Sequence, residues 1–400
     1  MDTLRVRAYN VRFGDAILIS VPDRDAAGQT TTRHILIDVG NATSTAGGVN
    51  TDFKPVVEDI LAVLAGRPLD LYVMTHEHMD HVQGLLWTAE KVYTRADLRD
   101  KLHPHDAWFT GSADPNYYKT HPDAKKKLDD ARALLEDIRV YLKAAPAAET
   151  ERIQGLLAIN DSASTSKCVD YLRELAGSEH TWYVHRETDL AGKHPFQEAQ
   201  FEIWAPEENT AIYYGRQPRV ALGVTPGATM RHKPTLTASI PPPGVDAGAY
   251  YDLMEMRRSS YLDNLLAIDK AANDTSLVFC LCWRDWRLLF PGDAEHLSWN
   301  VMARNKMLSA VNLLKVSHHG SANGTPGPDR LNTLFPNDAA PRLALVSTYP
   351  GTYEGVPDDV TLGRVRDRGA LHVVPQDPDG AWLDLAFVEG GQDWSATISA

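Results

Sequence analysis

The chain has 400 residues, 43% of them hydrophobic and 23% charged, with a formal net charge of −13. That is the make-up of a globular protein with a large buried core, and its acidity argues against broad attraction to nucleic acid or anionic membranes, which need a basic face. A small nucleotide, or a strand held by a local basic patch, stays open. No run approaches the ~18 apolar residues of a membrane span. The opening "MDTLRVRAYNVRF" has no basic segment leading into an apolar one. The expectation is a cytoplasmic protein without membrane association. Cys168, Cys280 and Cys282 read as free, mostly buried thiols of a reducing compartment.

In chain order, "LRVRAYNV", "AILISV" and "RHILIDVG" read as strands separated by the turn residues of "FGDA" and "PDRDAAGQ". "FKPVVEDILAVLAG" has apolar residues at helical spacing and a glycine stop. "LDLYVMT" is a short continuous apolar run, the pattern of a strand buried on both faces. Over residues 124–176, Leu128, Ala131, Leu135, Ile138 and Leu142 step by three and four, and a helical pair packed on the core is expected ahead of a lid or dimer interface. Residues 205–248 hold seven prolines, and between Ala211 and Val245 there is no Asp or Glu, while Arg216, Arg219, Arg231, His232 and Lys233 are present. This local change of sign suits either a solvated loop or a flap meeting an anionic substrate. "YYDLMEMRRSSYLDNLLAIDKA" reads as a helix, and "SLVFCLCW" and "RLLFPGD" as a hairpin around Arg284 and Asp285. Leu277, Phe279, Leu281 and Trp283 share one face of its first strand, with Val278, Cys280 and Cys282 on the other; two apolar faces make a central strand. "VNLLKVSHHGS" is a further strand, "RLALVST" and "ALHVV" close the sheet, and "AWLDLAFV" is expected at an edge.

Three strand ends carry metal-type ligands: "HEHMDH" with His76, His78, Asp80 and His81; "PGDAE" with Asp293; and "SHHGS" with His318 and His319. Imidazole nitrogen and carboxylate oxygen suit zinc, manganese or iron. His76 and His78 can point the same way just past a strand while Asp80 and His81 begin the next turn, so one segment can serve two ions flanking a bridging hydroxide. Glu77 and Met79 are expected as spacers. Asp15 and Asp38, at nearby strand ends, are candidates to fix the imidazole tautomers.

H-x-H-x-D-H after a strand, then G-D, then a histidine closing a later strand, resembles the metallo-β-lactamase fold. "FGDAILISV…HILIDVG", "THEHMDHVQGL", "NDTSLVFCL…RLLFPGDAE", "LLKVSHHGS" and "LALVSTYPGTYEGVPDDVTLGRVRDRGALHVV" are most similar to the metallo-hydrolase domain of ComEC-type DNA-uptake proteins and its free-standing relatives. The resemblance covers roughly residues 4–90 and 260–390 and implies an α/β fold, an αββα sandwich. Residues 1–90 and 259–400 would be its halves, and residues 91–258 a largely helical insertion able to bind a partner or a second copy. It also implies two divalent ions, zinc first and manganese second. His76 and His78 would hold one; Asp80, His81 and His318 the other; Asp293 would bridge and His319 face the substrate. His318 is taken as the ligand because it is the first residue past the strand, with the exchange with His319 left open. Two departures stand out. Where many relatives carry a metal-binding histidine this chain has Asn273 and Asp274, leaving the gap to Asp274, His185 or His194. Where relatives carry N-x-Y-G-H-P it has "GTYEGVP", so Tyr349 or Tyr353 would take over that substrate contact.

The implied reaction is hydrolysis of a phosphodiester in DNA, RNA or a small nucleotide, with Asp80 or a metal-bound hydroxide as base and nucleophile, and His319 and a loop arginine meeting phosphoryl oxygens, Arg231 and Lys233 being the substrate-binding candidates. The alternatives are hydrolysis of an ester, lactone, thioester or lactam on the same metals, or a non-enzymatic metal-binding partner module.

Overall fold

A computed structural model describes the chain apart from residues 26, 43–49, 131–161, 214–265, 267, 350, 354 and 400. The first three expected strands form as β1 (Thr3–Tyr9), β2 (Ala16–Arg24) and β3 (Thr30–Val39). Helix α1 (Phe53–Leu64) ends where Ala65 turns left-handed just before Gly66. Then come β4 (Leu71–Met74), α2 (Met79–Lys91), α3 (Arg95–Leu102), β5 (Asp106–Thr110), α4 (Ser162–Ala176), β6 (Thr181–Val184) and β7 (Gln200–Ala205). The later part supplies β8 (Val278–Trp283), β9 (Trp286–Phe290), α5 (His296–Arg304), β10 (Leu313–Lys315), α6 (Pro328–Leu334), β11 (Leu343–Val346), α7 (Asp359–Arg366), β12 (Ala370–Val373), β13 (Trp382–Val388) and β14 (Trp394–Ile398).

Two sheets result: eight strands in the order β14-β13-β1-β2-β3-β4-β5-β6, and six in the order β12-β11-β10-β9-β8-β7. Each is antiparallel on one side and parallel on the other; β3 to β6 and β9 to β12 run parallel. One apolar layer joins the sheets, with Val6, Ile19, Ile35, Val73 and Trp108 from the first meeting Phe279, Leu281, Leu288, Leu313 and Leu345 from the second. The outer face of the first sheet is covered by α1 to α4 through Val56, Ile60, Val82, Leu85, Leu98 and Leu172. The outer face of the second is covered by α5 to α7 through Trp299, Met302, Leu331, Leu334, Leu362 and Val365. The molecule is therefore a mixed α/β protein in four layers, helix–sheet–sheet–helix. The two-faced reading of the 278–283 strand holds: Phe279, Leu281 and Trp283 face the joining layer, Val278 and Cys280 face the helices, and β8 lies between β7 and β9.

Two expectations are corrected. Residues 91–258 were read as a largely helical insertion, yet β5 and β6 extend the first sheet and β7 the second. "DAWFT" and "TWYV" are too short and too apolar for an alternation to announce them, and they find partners only as parallel neighbours of β4 and of each other. Only part of the proposed helical pair is described, the helical residues 122–130 and α4. The other correction concerns "AWLDLAFV". As β13 it crosses to the first sheet and pairs with β1 on one side and β14 on the other, so it is interior.

The β2–β3 pairing sets Ser20 opposite His34, which is 2% exposed. An Arg67 guanidinium nitrogen lies 2.9 Å from its Nε2 and Ser20 Oγ lies 3.0 Å from its Nδ1. A guanidinium only donates, so Nε2 accepts and the proton sits on Nδ1. Burial, reinforced by the Arg67 charge, lowers this imidazole from 6.5 to about 4. Between those values the folded chain binds fewer protons than the unfolded chain. The His34 contribution is therefore whole above the unfolded value and lost as the pH falls from about 6.5 toward 4, by about 2–3 kcal/mol at the lower end. Urea midpoints of the wild type and of His34→Gln, followed across that window, should converge as the pH falls; curves that stay parallel would refute this account.

Candidate metal centre

The C-terminal ends of β3, β4, β9, β10 and β11 lie together at one edge of the sandwich and carry the residues the motifs singled out. His78 is extended at the N-cap of α2, placing Asp80 and His81 in the first helical turn. That turn is pressed against Gly40: a Cβ there would lie 2.4 Å from the backbone of Asp80 and His81. Only a glycine lets β3's exit approach so closely.

His76, His78, Asp80, His81, Asp293 and His319 are all buried. Asp293 Oδ2 is 3.2 Å from His81 Nε2 and 3.3 Å from His319 Nε2, while Asp80 Oδ2 is 3.6 Å from His319 Nε2 and 4.0 Å from His81 Nε2. The His76 ring centroid lies 4.2 Å from that of His81 and 4.7 Å from that of His78. His76 Nε2, His78 Nε2, His81 Nε2, His319 Nε2, Asp80 Oδ1 and Asp293 Oδ1 are buried without a hydrogen-bond partner. Buried polar atoms are normally satisfied, so a convergent set of unsatisfied ones marks a place for an ion. Asp80, His81, Asp293 and His319 form a buried group able to hold a metal ion.

The surrounding bonds engage Nδ1 of three imidazoles and turn Nε2 into the cluster. Asp38 accepts from the Thr75 hydroxyl at 2.6 Å and from His81 Nδ1 at 2.8 Å. Having given its proton to Asp38, Thr75 Oγ1 accepts from His76 Nδ1 at 3.1 Å. His319 Nδ1 donates to the Ser347 carbonyl at 3.0 Å. Asp38, His318 and His319 all have left-handed backbones, with φ of 51°, 49° and 52°. Strain of about 1–3 kcal/mol per residue is typically stored where function requires the pose. Asp38→Ala should weaken metal binding by about 10–100-fold. Competition against a chromogenic chelator measures this, and an affinity equal to wild type would reduce Asp38 to a structural partner of Thr75.

Charge in the cluster is coupled. Burial pushes Asp293 up, but His319, His81 and Lys315 outweigh it and hold the carboxyl well below the usual range. Burial, then the His81 and His78 charges, lower His76 well below its ordinary value, keeping it neutral. His81 is the opposite case, since Asp293, Asp80 and Asp38 overcome its burial and raise it well above 6.5.

Several assignments change. His318 was taken as a ligand with His319 facing substrate; the structure brings His319 onto Asp80 and Asp293. His318 turns to Glu295, with Nδ1 3.3 Å from Oε1, and toward Asn273, with Nε2 3.4 Å from Nδ2. Asp274 does not reach the cluster. Its Oδ1 accepts from the backbone N–H groups of Glu295 and Ser298 at 3.1 and 2.9 Å, capping the start of α5. His194 packs its ring on Trp108 and Phe201, and His185 sits beside Glu187 and Gly111. Asp15 is not a tautomer-fixing acceptor: it pairs with Lys315. Tyr353 does come close. It stacks edge-on against Phe13 at 4.7 Å, and Phe13 lies 4.4 Å from His319. Its hydroxyl is buried without a partner, and burial, then the charges of Asp80 and Asp269, push its pKa up. Tyr349 instead lies under the Arg12 guanidinium, 5.5 Å away. Arg231 and Lys233 lie outside the described residues.

Sequence reasoning missed Asp269, Glu295 and Lys315. The lysine had a signal: "NLLKVS" sets one charge inside an apolar strand, a residue almost never fully buried unless paired. No protein-family model matches the chain, and no curated protein matches its sequence.

Proposed function

We propose that the chain is a metal-dependent hydrolase on a metallo-β-lactamase-type sandwich. It would hold two divalent ions, zinc first and manganese second, and cleave phosphodiester bonds in DNA, RNA or a small nucleotide. The observation that carries the reading is the convergence of unpartnered buried nitrogens and oxygens at the strand ends. His76 and His78 would hold one ion, Asp80, His81 and His319 the other, with Asp293 between them. The 3.2 and 3.3 Å separations across Asp293 suit ligands about 2.0–2.2 Å from a shared ion. When bound, such ions neutralise developing charge and lower the pKa of water.

The protein's own groups do the rest. Asp38, Thr75 and the Ser347 carbonyl hold three imidazoles in the tautomer that presents Nε2. Phe13, itself buried, packs against the His319 ring and forms an apolar wall on that side. The Tyr353 hydroxyl stays protonated and donates to an anionic substrate oxygen. A phosphodiester is supported by the resemblance to the ComEC-type domain and by the acid-free basic run between Ala211 and Val245.

The test is a panel of single-stranded DNA, duplex DNA, RNA and cyclic nucleotides with Zn²⁺ or Mn²⁺, run beside esters and lactones with Asp80→Ala as control. Turnover of a phosphodiester that the control loses supports the reading. Turnover confined to esters or lactones moves it to the second class. No turnover anywhere leaves a binding module.

A further inference from the structure

Where related motifs have a metal-binding histidine, the chain has Asn273, so the ion of His76 and His78 would have from the protein only those two imidazoles and the shared Asp293. The acid next in sequence, Asp274, is committed to capping α5. We propose that Asp269, one helical turn before Asn273, completes this position as a carboxylate ligand; the proposal rests on the metallo-hydrolase reading above.

Asp269 Oδ1 lies 4.0 Å from His78 Nε2. That is too long for a hydrogen bond. It is right for two ligands on one ion: at bonds of about 2.1 Å, they lie about 3.4 Å apart in a tetrahedron and about 4.2 Å apart when opposed. His78 and His76 are 4% and 0% exposed, and neither Nε2 has a hydrogen-bond partner. Both nitrogens thus need something the protein does not itself supply.

Asn273 explains why the helix presents the acid in this pose. Its amide nitrogen is 3.4 Å from Asp269 Oδ2 and 3.0 Å from Glu295 Oε1, so one side chain donates to both carboxylates and fixes Asp269 through Oδ2, with Oδ1 on the His78 side. Residues 268–274 are helical, which puts positions 269 and 273 on one face. The asparagine is thus a positioning residue and the aspartate the ligand, which moves the missing donor four residues upstream of where the motif would have it.

The experiment measures metal, not turnover. The full chain is stripped with a chelator, reloaded with Zn²⁺ and assayed for zinc per chain, with circular dichroism as the fold control. Wild type is expected to take up two ions. Asp269→Asn, nearly isosteric, and Asp269→Ala should retain one and bind the other at least about tenfold more weakly. Asp274→Asn, still able to cap α5, should keep two. Two zinc ions bound by Asp269→Asn with wild-type affinity would overturn the assignment of Asp269 while leaving the hydrolase reading standing. A wild type that takes up no zinc would overturn both.

Discussion

Asp293→Ala should leave a folded chain that has lost tight metal binding and on the order of 10³-fold or more of any hydrolysis the wild type shows. Asp293 is the residue on which the two sheets' contributions meet. It follows β9 of the six-stranded sheet, yet its Oδ2 lies 3.2 Å from His81, which follows β4 of the eight-stranded one. It is 1% exposed and held ionised by His319, His81 and Lys315. Alanine removes that charge and leaves His81 and His319 without their common carboxylate. Loss of an outer hydrogen-bond partner such as Asp38 is expected to cost about 10–100-fold, and loss of a carboxylate that both ions of the proposed centre would share should exceed it. Zinc per chain and turnover on the substrate panel are measured together. A variant with wild-type zinc content and wild-type rate would remove Asp293 from the centre, and with it the two-ion reading.

The parts of the site legible in sequence are those whose geometry follows from local spacing. An apolar strand running into "HEHMDH" fixes four side chains within one turn, because the strand end and the first turn of α2 leave little freedom. Asp38 was legible for the same reason: it closes β3, the parallel neighbour of β4. What was not legible depends on backbone signs that side-chain identity does not announce. His318 and His319 both adopt positive φ, a conformation that sequence normally flags with glycine or asparagine. Two such residues in succession rotate the second ring, not the first, into the cluster. Asp269 was hidden differently. Its partner His78 lies 191 positions earlier and the pair meets only across the joined sheets. The strands in the middle of the chain were missed because "DAWFT" and "TWYV" have no alternation to read. β13 was misplaced because an edge strand and a returning interior strand share one pattern until the other sheet's β1 is there to accept it.

Lys315→Ala should cost about 3–5 kcal/mol of folding stability, the effect of breaking a buried ion pair by removing one partner. The lysine ends β10 and is 1% exposed; its ammonium pairs with Asp15, 3% exposed on its side chain, and lies 3.6 Å from Asp293 Oδ1. Burial alone would lower its pKa, yet Asp15 and Asp293 more than reverse this and keep it charged. Alanine strands the Asp15 carboxylate in a site where Oδ1 already lacks a hydrogen-bond partner. The penalty belongs to the orphaned charge rather than to the bond, so removing both charges should recover most of it. Asp15→Leu combined with Lys315→Met is expected to lie within about 1–2 kcal/mol of wild type, with a coupling energy of several times the ~0.5 kcal/mol expected of independent sites. Urea unfolding of chelator-treated wild type, the two single variants and the double variant gives the cycle, free of stabilisation by bound metal. Additive losses would mean that Lys315 and Asp15 act separately. The lysine would then have to be explained by Asp293 alone, as a charge placed to hold that carboxylate ready rather than to join β10 to the turn after β1.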